Sequence, residues 1–488
     1  MISQEIHSKN NLPIALENSF QGFFNVKIPI RQEIENFIKN LKDVTFFVIE
    51  HPYVDKVYRD SYYYYFSSKL NYYPRDCIKV SIFAKTITID DFYSVEKQQE
   101  LQDNYRGFFV IRPTYPALFG RSIIDKRALK NNEFLITESE FNTTCNGLKF
   151  YVKGFPCSSQ DSETITCAET SLWGVMEYFS HRYAEYKPLL PSKIVDTLKI
   201  ISFERQLPSK GLKYGDLSYA LKEFGFGTRI YTRQDFKDEF EIILASYIES
   251  GIPTIIAASN NDNIHHALVC CGREKLTESH IDTIDERAIM IDFNSIEKRF
   301  VFVDDNHFPY QISSLDRPCH YYPSAEWKKS QIEQFIVPLY PKIYLEAYEA
   351  REYCKYLLFE ILKVKQITYR LLLTSSRSYK DEIIRSVDLP REFKEAVASV
   401  PMPKFVWLCE ISNKQLLKNH KCHGTIMLDA TEPNIFRYKP LLFVHSGNIF
   451  MHKNGNGKLE HKKLPLSLDE YGIYKNNLKG FYIQGYMS

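Results

Sequence analysis

The residues whose types and spacing could do chemistry begin at Cys167. The segment QDSETITCAETSLWGVMEYFSHRY (160–183) carries apolar residues at Ala168, Leu172, Val175, Met176, Phe179 and Tyr183, which is a helical period. Thr166 and Glu169 form a T-x-x-E capping box, predicting Thr166 as N-cap and Cys167 as the first helical residue. Unsatisfied backbone N–H groups and the positive end of the helix dipole converge at that position. They stabilise a thiolate, the nucleophilic form of cysteine. Ser171 and Gly174 share the thiol's side of the helix, and their small size lets a sheet or a substrate approach. Taken alone, a free cysteine is more commonly a small buried hydrophobe.

Downstream residues change that balance. HHALVCCG (265–272) reads as a strand with histidine at its mouth, and FVFVDDN (300–306) as a strand ending in two carboxylates. A Cys at a helix start, a His at the beginning of one strand and an acid at the end of the next make an ordered triad. The imidazole takes the thiol proton, and the carboxylate fixes the imidazole tautomer through its other nitrogen. Between Cys167, His266 and Asp304 the separations are 99 and 38 residues. His265 competes with His266, because adjacent strand residues point to opposite faces and only one can meet the thiol. Asp304 and Asp305 compete for the acid, and turn or strand-end capping is the plainer role of either. Glu163 and Glu169 flank the thiol and are expected as solvated caps. Arg112 and Arg121 bracket a proline-broken loop, where ion pairing at a surface or domain interface is expected ahead of binding a substrate carboxylate. Glu410, Asp429 and His445 sit at strand positions without a motif around them.

Several elements must position these groups. IRQEIENFIKNLKDV has helical spacing; VTFFVIE, IKVSIFAKTITI and FFVIR read as strands. The Tyr62–Tyr65 run fits a half-buried strand with one wet face. Pro113 and Pro116 mark a boundary near residue 115. Helices are predicted from Cys167, across Tyr214 to Phe224, and across Phe236 to Ser250, followed by the short strands IPTIIAAS, HHALVCCG, AIMIDF and FVFVDD. Past residue 325 come a long helix from Leu345 to Lys365 and the strands GTIMLDAT, PLLFVHSG, NIFMHK and GFYIQGY (480–486), with a hairpin turn at Asn454-Gly455-Asn456-Gly457. Strands and helices mix without strict alternation, which predicts α+β. Three units are expected: an N-terminal α/β accessory domain (1–115), a catalytic domain (116–325) and a C-terminal α+β domain (326–488).

Composition removes other classes. Lys plus Arg is 62 and Asp plus Glu is 60 in 488 residues, a net charge of +2, which argues against nucleic-acid and polybasic membrane binding. With 44% apolar and 15% aromatic residues the chain can bury large cores. Ten cysteines are too dilute for a disulfide scaffold and include no C-x-x-C pair, so no metal site is expected. No nucleotide or zincin motif occurs, so no cofactor is expected. A secretory signal and a membrane-length apolar run are both absent, which makes a reducing, cytoplasmic location the expectation.

In order and spacing, the landmarks Cys167 on its helix, GLKYGDLSYALKEFGF (211–226), YIESGIPTII, HALV and VFVDD resemble the papain-like cysteine peptidases, specifically the peptidase C39-like or double-glycine-peptidase-like branch. The resemblance covers about 150 to 310, a third of the chain. It implies a papain-like catalytic fold with Cys167 as nucleophile and His266 as base, since the family writes His-Ala-hydrophobic and Ala267 follows His266. Asp304 or Asp305 stands where the family's acid stands, with Asp304 preferred. The family places an oxyanion-donating Gln six residues before the Cys. Here Asp161 holds that offset and Gln160 lies seven before, so Gln160 is the candidate on a loop one residue longer. The implied activity is hydrolysis of an amide, peptide or isopeptide bond through an acyl-enzyme. The alternatives are acyl transfer to an amine, as in transglutaminase-like enzymes, or an inactive papain-like binding module. A protein or peptide substrate is expected, with the aromatic flanking domains as surfaces for a protein partner.

Overall fold

Three strands buried on both faces build the first sheet. In the computed structural model Phe46–Tyr53, Cys77–Phe83 and Tyr105–Arg112 pair antiparallel in that order. Ser3–Ser8 closes one edge, and Ser122–Ile124 followed by Pro156–Cys157 extends the other. The structure describes residues 3–24, 29–30, 32–260, 262, 264–433, 440–452, 459–463, 469–475 and 478–479.

The second sheet runs Gly227–Thr232, Gln331–Leu339, Thr254–Ser259, His265–Glu274, Phe300–Val303, Gln311–Ser313, with antiparallel neighbours throughout. Its inner strands are buried on both faces, so alternate residues feed two cores. Ile255, Ala267, Val269, Cys271, Val301 and Ile336 pack with the Cys167–Arg182 helix. Ile256, Leu268, Cys270, Phe302, Phe335 and Val337 pack with the Phe240–Glu249 helix and the third sheet. That third sheet runs Met290–Asp292, Ile367–Ser375, Phe405–Ser412, Gly424–Asp429, Leu442–His445, Asn448–His452, Leu459–Lys463. Helix accounts for 34% of residues and strand for 31%, so the chain is mixed α+β, as its pattern predicts.

Sheet pairing crosses the boundaries expected near 115 and 325. Ser122–Ile124 and Pro156–Cys157 belong to the first sheet, Gln331–Leu339 lies inside the second, and Met290–Asp292 starts the third. Beyond the pairing of Thr254 with Cys270, Phe134–Thr137 takes over the edge of the His265–Glu274 strand, pairing Ile136 with Gly272. That approach requires glycine: a Cβ on Gly272 would lie 2.0 Å from the Leu135 carbonyl oxygen.

Three local expectations are corrected. The tyrosine run is not a strand. Lys56–Tyr64 is a helix, because Asp55 caps it by accepting from the Tyr58 amide at 2.8 Å and a helical period turns Val57, Tyr58 and Ser61 inward. The helix expected over Leu345 to Lys365 is Ala347–Tyr356, widened into a π turn at Leu357–Ile361 and ended by positive φ at Lys363. The helix expected from Phe236 begins at Phe240, since Lys237 takes a φ of 44°. The helices Pro191–Lys199 and Arg391–Ser399 are additional to the expectation. Asn454 to Gly457 and the strand expected at 480–486 lie outside the described residues; Asn448–His452 and Leu459–Lys463, before and after the former in sequence, pair antiparallel.

Buried charge ties the second and third sheets together. Glu249 accepts from Arg273 Nε at 2.6 Å and from Arg370 Nε at 2.9 Å, and Arg370 also reaches Glu410 at 2.6 Å. Glu410 is therefore a structural ion-pair member. Burial pushes the Glu249 carboxyl up, but the two guanidiniums more than offset this and hold it at about 2. Its stabilisation is thus present above the ordinary carboxylate range and is lost as pH falls through about 2. Glu249→Gln leaves two buried guanidiniums short of an anion and is expected to cost about 3–5 kcal/mol. Urea unfolding reads this as a lower midpoint, and an unchanged midpoint contradicts the cross-tie.

Candidate active site

Cys167 stands at the first position of the Cys167–Arg182 helix, with extended Thr166 as N-cap. The Thr166 amide donates to Glu169 Oε2 at 3.1 Å, which closes the reciprocal half of the capping box. Glu169 is buried rather than solvated, because Ser209 Oγ also donates to it at 2.5 Å from a following loop. Glu163 is held by Lys69 and by the Tyr65 hydroxyl of the first sheet's helical edge. Ala168, Leu172, Val175 and Met176 face the core. Ser171 Oγ donates to the Ala267 carbonyl at 3.3 Å, and a Cβ on Gly174 would come within 3.3 Å of the Pro156 carbonyl oxygen. These small residues let the helix lie close to the sheet, as their size predicts. Among the ten free thiols Cys167 alone is partly exposed; the other nine are buried.

The sheet's alternation decides between the two histidines. His265 faces outward and is exposed, whereas His266 is buried and its Nε2 lies 3.0 Å from Asp304 Oδ1. His266 also hydrogen-bonds Cys167. With Nε2 engaged by the acid, Nδ1 is the nitrogen left for the thiol. Burial pushes the imidazole pKa down, but the Asp304 charge and hydrogen bond, the bond to Cys167 and the Asp305 charge together raise it well above the usual histidine value.

Asp304 rather than Asp305 is the direct partner: Asp305 Oδ1 stands 3.6 Å from the ring nitrogen. Asp304 Oδ1 also accepts from the Asn306 amide at 2.8 Å. Its Oδ2 accepts from the Tyr321 hydroxyl at 2.7 Å and the Tyr322 hydroxyl at 2.8 Å. Burial pushes this carboxyl up, yet His266, His307 and Tyr321 hold it down at about 2. Ligand atoms of His266, Asp304 and Asp305 lie within 4.8 Å of one another, close enough to share a cation. All four acceptor positions of Asp304 are already taken, however, so this acid is built to fix an imidazole.

The loop before the thiol is organised by Asp161. Asp161 accepts from the amides of Glu163, Thr164 and Ile165 at 2.9, 2.6 and 3.0 Å, and Ser162 takes a φ of 61°. Arg112 pairs with the other Asp161 oxygen at 3.2 Å and donates to the Ser159 carbonyl at 2.6 Å. The carboxylate six residues before Cys167 is thereby spent on its own loop. Gln160 Nε2 donates to Asn306 Oδ1 at 3.1 Å, which joins it to the loop that carries Asp304 and leaves one amide proton for another acceptor. Arg121 pairs with Glu177 at 2.8 Å, so both arginines serve ion pairs, as expected.

Sequence reasoning did not single out Tyr321, Tyr322, Asn306 or Trp327, whose ring lies 5.8 Å from His266. Nor did it single out Tyr214, which opens the Tyr214–Glu223 helix and packs with Cys167 against the same core. The Tyr214 hydroxyl is buried without a hydrogen-bond partner among the described residues. Burial, with the charges of Glu333 and Cys167, pushes its pKa up to about 12, so it stays a proton donor. The paired tyrosines after HFPYQISS were the available signal, since buried phenols seek acceptors. Compared with known proteins, the chain matches no family model and no curated protein.

Proposed function

We propose that the protein is a cysteine hydrolase of papain-like catalytic design that cleaves an amide, peptide or isopeptide bond. The observation that carries this reading is the chain of contacts from the partly exposed Cys167, at a helix N-terminus, through buried His266 to Asp304. A pair of thiolate and imidazolium is favoured because the carboxylate stabilises the imidazolium and the helix end stabilises the thiolate. The sulfur attacks the substrate carbonyl carbon, and the resulting oxyanion takes hydrogen bonds from the Cys167 amide and the second Gln160 proton. His266 then protonates the leaving amine as the C–N bond breaks. Next it takes a proton from water, whose oxygen attacks the thioester. The acid is released and the thiol regenerated. Tyr214 supplies a further donor beside the thiol.

Exposure alone makes Cys167 alkylate before the other nine thiols, so the informative comparison is with a variant that keeps the exposure. Iodoacetamide at about pH 6 is expected to modify Cys167 at least about tenfold faster in the wild type than in His266→Ala, because only the wild type holds the ion pair. Peptide mapping by mass spectrometry gives both rates. Equal rates would leave the thiol unactivated and remove the basis of the hydrolase reading.

A further inference from the structure

Away from Cys167 lies a cavity of about 540 Å³ between the 41–45 loop, the start of the Tyr105–Arg112 strand and the 126–133 loop. Lys42, Arg106, Lys126 and Arg127 line it, and so do Asp43 and Glu133. The acids are already paired: Asp43 with Lys9 at 3.0 Å and Lys130 at 3.2 Å, Glu133 with Lys275 at 2.7 Å. Arg127 is taken by Asp125, which accepts from its Nε at 2.7 Å. Lys42, Arg106 and Lys126 enter no ion pair among the described residues. Lys126 is only 5% exposed, and its ammonium donates to the Phe134 carbonyl. Burial, reinforced by Lys275, pushes it down to about 8. Arg106 donates to the Asp103 and Tyr105 carbonyls at 2.7 and 2.9 Å; burial and the Arg127 charge push its pKa down.

Asp125 and Asp103 offset the Arg106 charge only in part, and Glu138, Asp125 and Glu133 that of buried Lys126, since both groups stay pushed down; an anion in the cavity removes the remaining cost. We propose that this cavity is a binding site for a phosphate group, carried on a small organic molecule, with its oxygens paired to Lys42, Arg106 and Lys126. A phosphate offers three acceptor oxygens and up to two charges to three separate donors, whereas a single carboxylate neutralises one. The volume exceeds the needs of a bare phosphate and falls within the ~300–1,000 Å³ of small-molecule sites. Val44, Ala84 and Ala128 supply apolar wall for the rest of the molecule. The site is separate from the thiol. Glu133 pairs with Lys275, just beyond the end of the His265–Glu274 strand opposite to His266.

The test uses the full chain and needs no activity. Thermal unfolding is followed with inorganic phosphate, with adenosine 5′-monophosphate and with sodium chloride at matched ionic strength. Either phosphate compound is expected to raise the unfolding temperature by about 3 °C or more above the chloride control at saturation. A rise with the ester at lower concentration than with the free ion places the organic part in the cavity; a rise with the free ion only keeps the phosphate site and removes the organic part. Lys126→Met and, independently, the more exposed Arg106→Gln are each expected to weaken binding about tenfold or more by titration calorimetry. Lys126→Met is expected to unfold no earlier than the wild type without ligand, which a purely structural lysine would not allow. No rise with either compound, or undiminished binding in Arg106→Gln, overturns the proposal.

Discussion

Cys167→Ala is expected to lower turnover by a factor of about 10⁴ to 10⁶, because in the proposed reaction the sulfur is the atom that bonds to the substrate and no other group can replace it. Cleavage of a peptide and isopeptide library, read by mass spectrometry at high enzyme concentration, measures the loss. The stability of the variant is expected to stay close to wild type: a partly exposed thiol at a helix start buries little area, and alanine keeps the helix. Loss of activity with an unchanged unfolding midpoint is therefore the signature of a nucleophile. Retention of cleavage would move the chemistry away from this helix. Loss of both would make Cys167 a packing residue.

The second large effect is expected at the acid. Asp304→Asn presents an amide N–H where His266 Nε2 now donates, which turns the ring to the tautomer whose Nδ1 carries the proton and cannot accept one from sulfur. A loss of about 10⁴ in turnover follows for such a tautomer change. The pH dependence gives a second readout. His266 is raised by Asp304, so the imidazolium persists above the ordinary histidine range, and the proposed activity that needs it is expected to fall only as pH rises through the raised value. In Asp304→Asn the alkaline limb of any residual activity moves to lower pH. Stability follows the same linkage. The His266 contribution is fully present below its unfolded value of about 6.5 and is lost above the folded one. The Asp304 contribution is present above about 4 and is lost as pH falls through about 2. Asp305→Asn, 3.6 Å from the ring, is expected to move the limb less. If the two variants exchange these behaviours, Asp305 is the working acid.

The tyrosine run shows where sequence patterns reach their limit. Tyr62 to Tyr65 carries aromatic residues on every side, so neither a period of two nor one of 3.6 is imposed, and the Asp55 cap tips the segment to helix. The sheets illustrate a second limit. Gln331–Leu339 joins Thr254–Ser259, and Ser122–Ile124 joins Tyr105–Arg112, across breaks that prolines and changes of texture mark along the chain. Edge pairing is set by which strands lie side by side, and a strand's own residues do not encode its neighbour.

What the sequence by itself determined is what short-range chemistry dictates. The capping box placed Cys167 at a helix start, small residues at 171 and 174 left room beside it, and the two-residue period of a strand sent His265 and His266 to opposite faces. Only the tertiary structure decided which histidine meets the thiol's helix and that Asp304 stands nearer to it than Asp305. It alone supplied the two tyrosines that saturate Asp304, the arginine that absorbs Asp161 and the cation-lined cavity in the 41–45 region. The physical reason is range. Capping and alternation act within a few residues, whereas charges and hydrogen bonds between segments dozens of residues apart exist only after packing has fixed their distance.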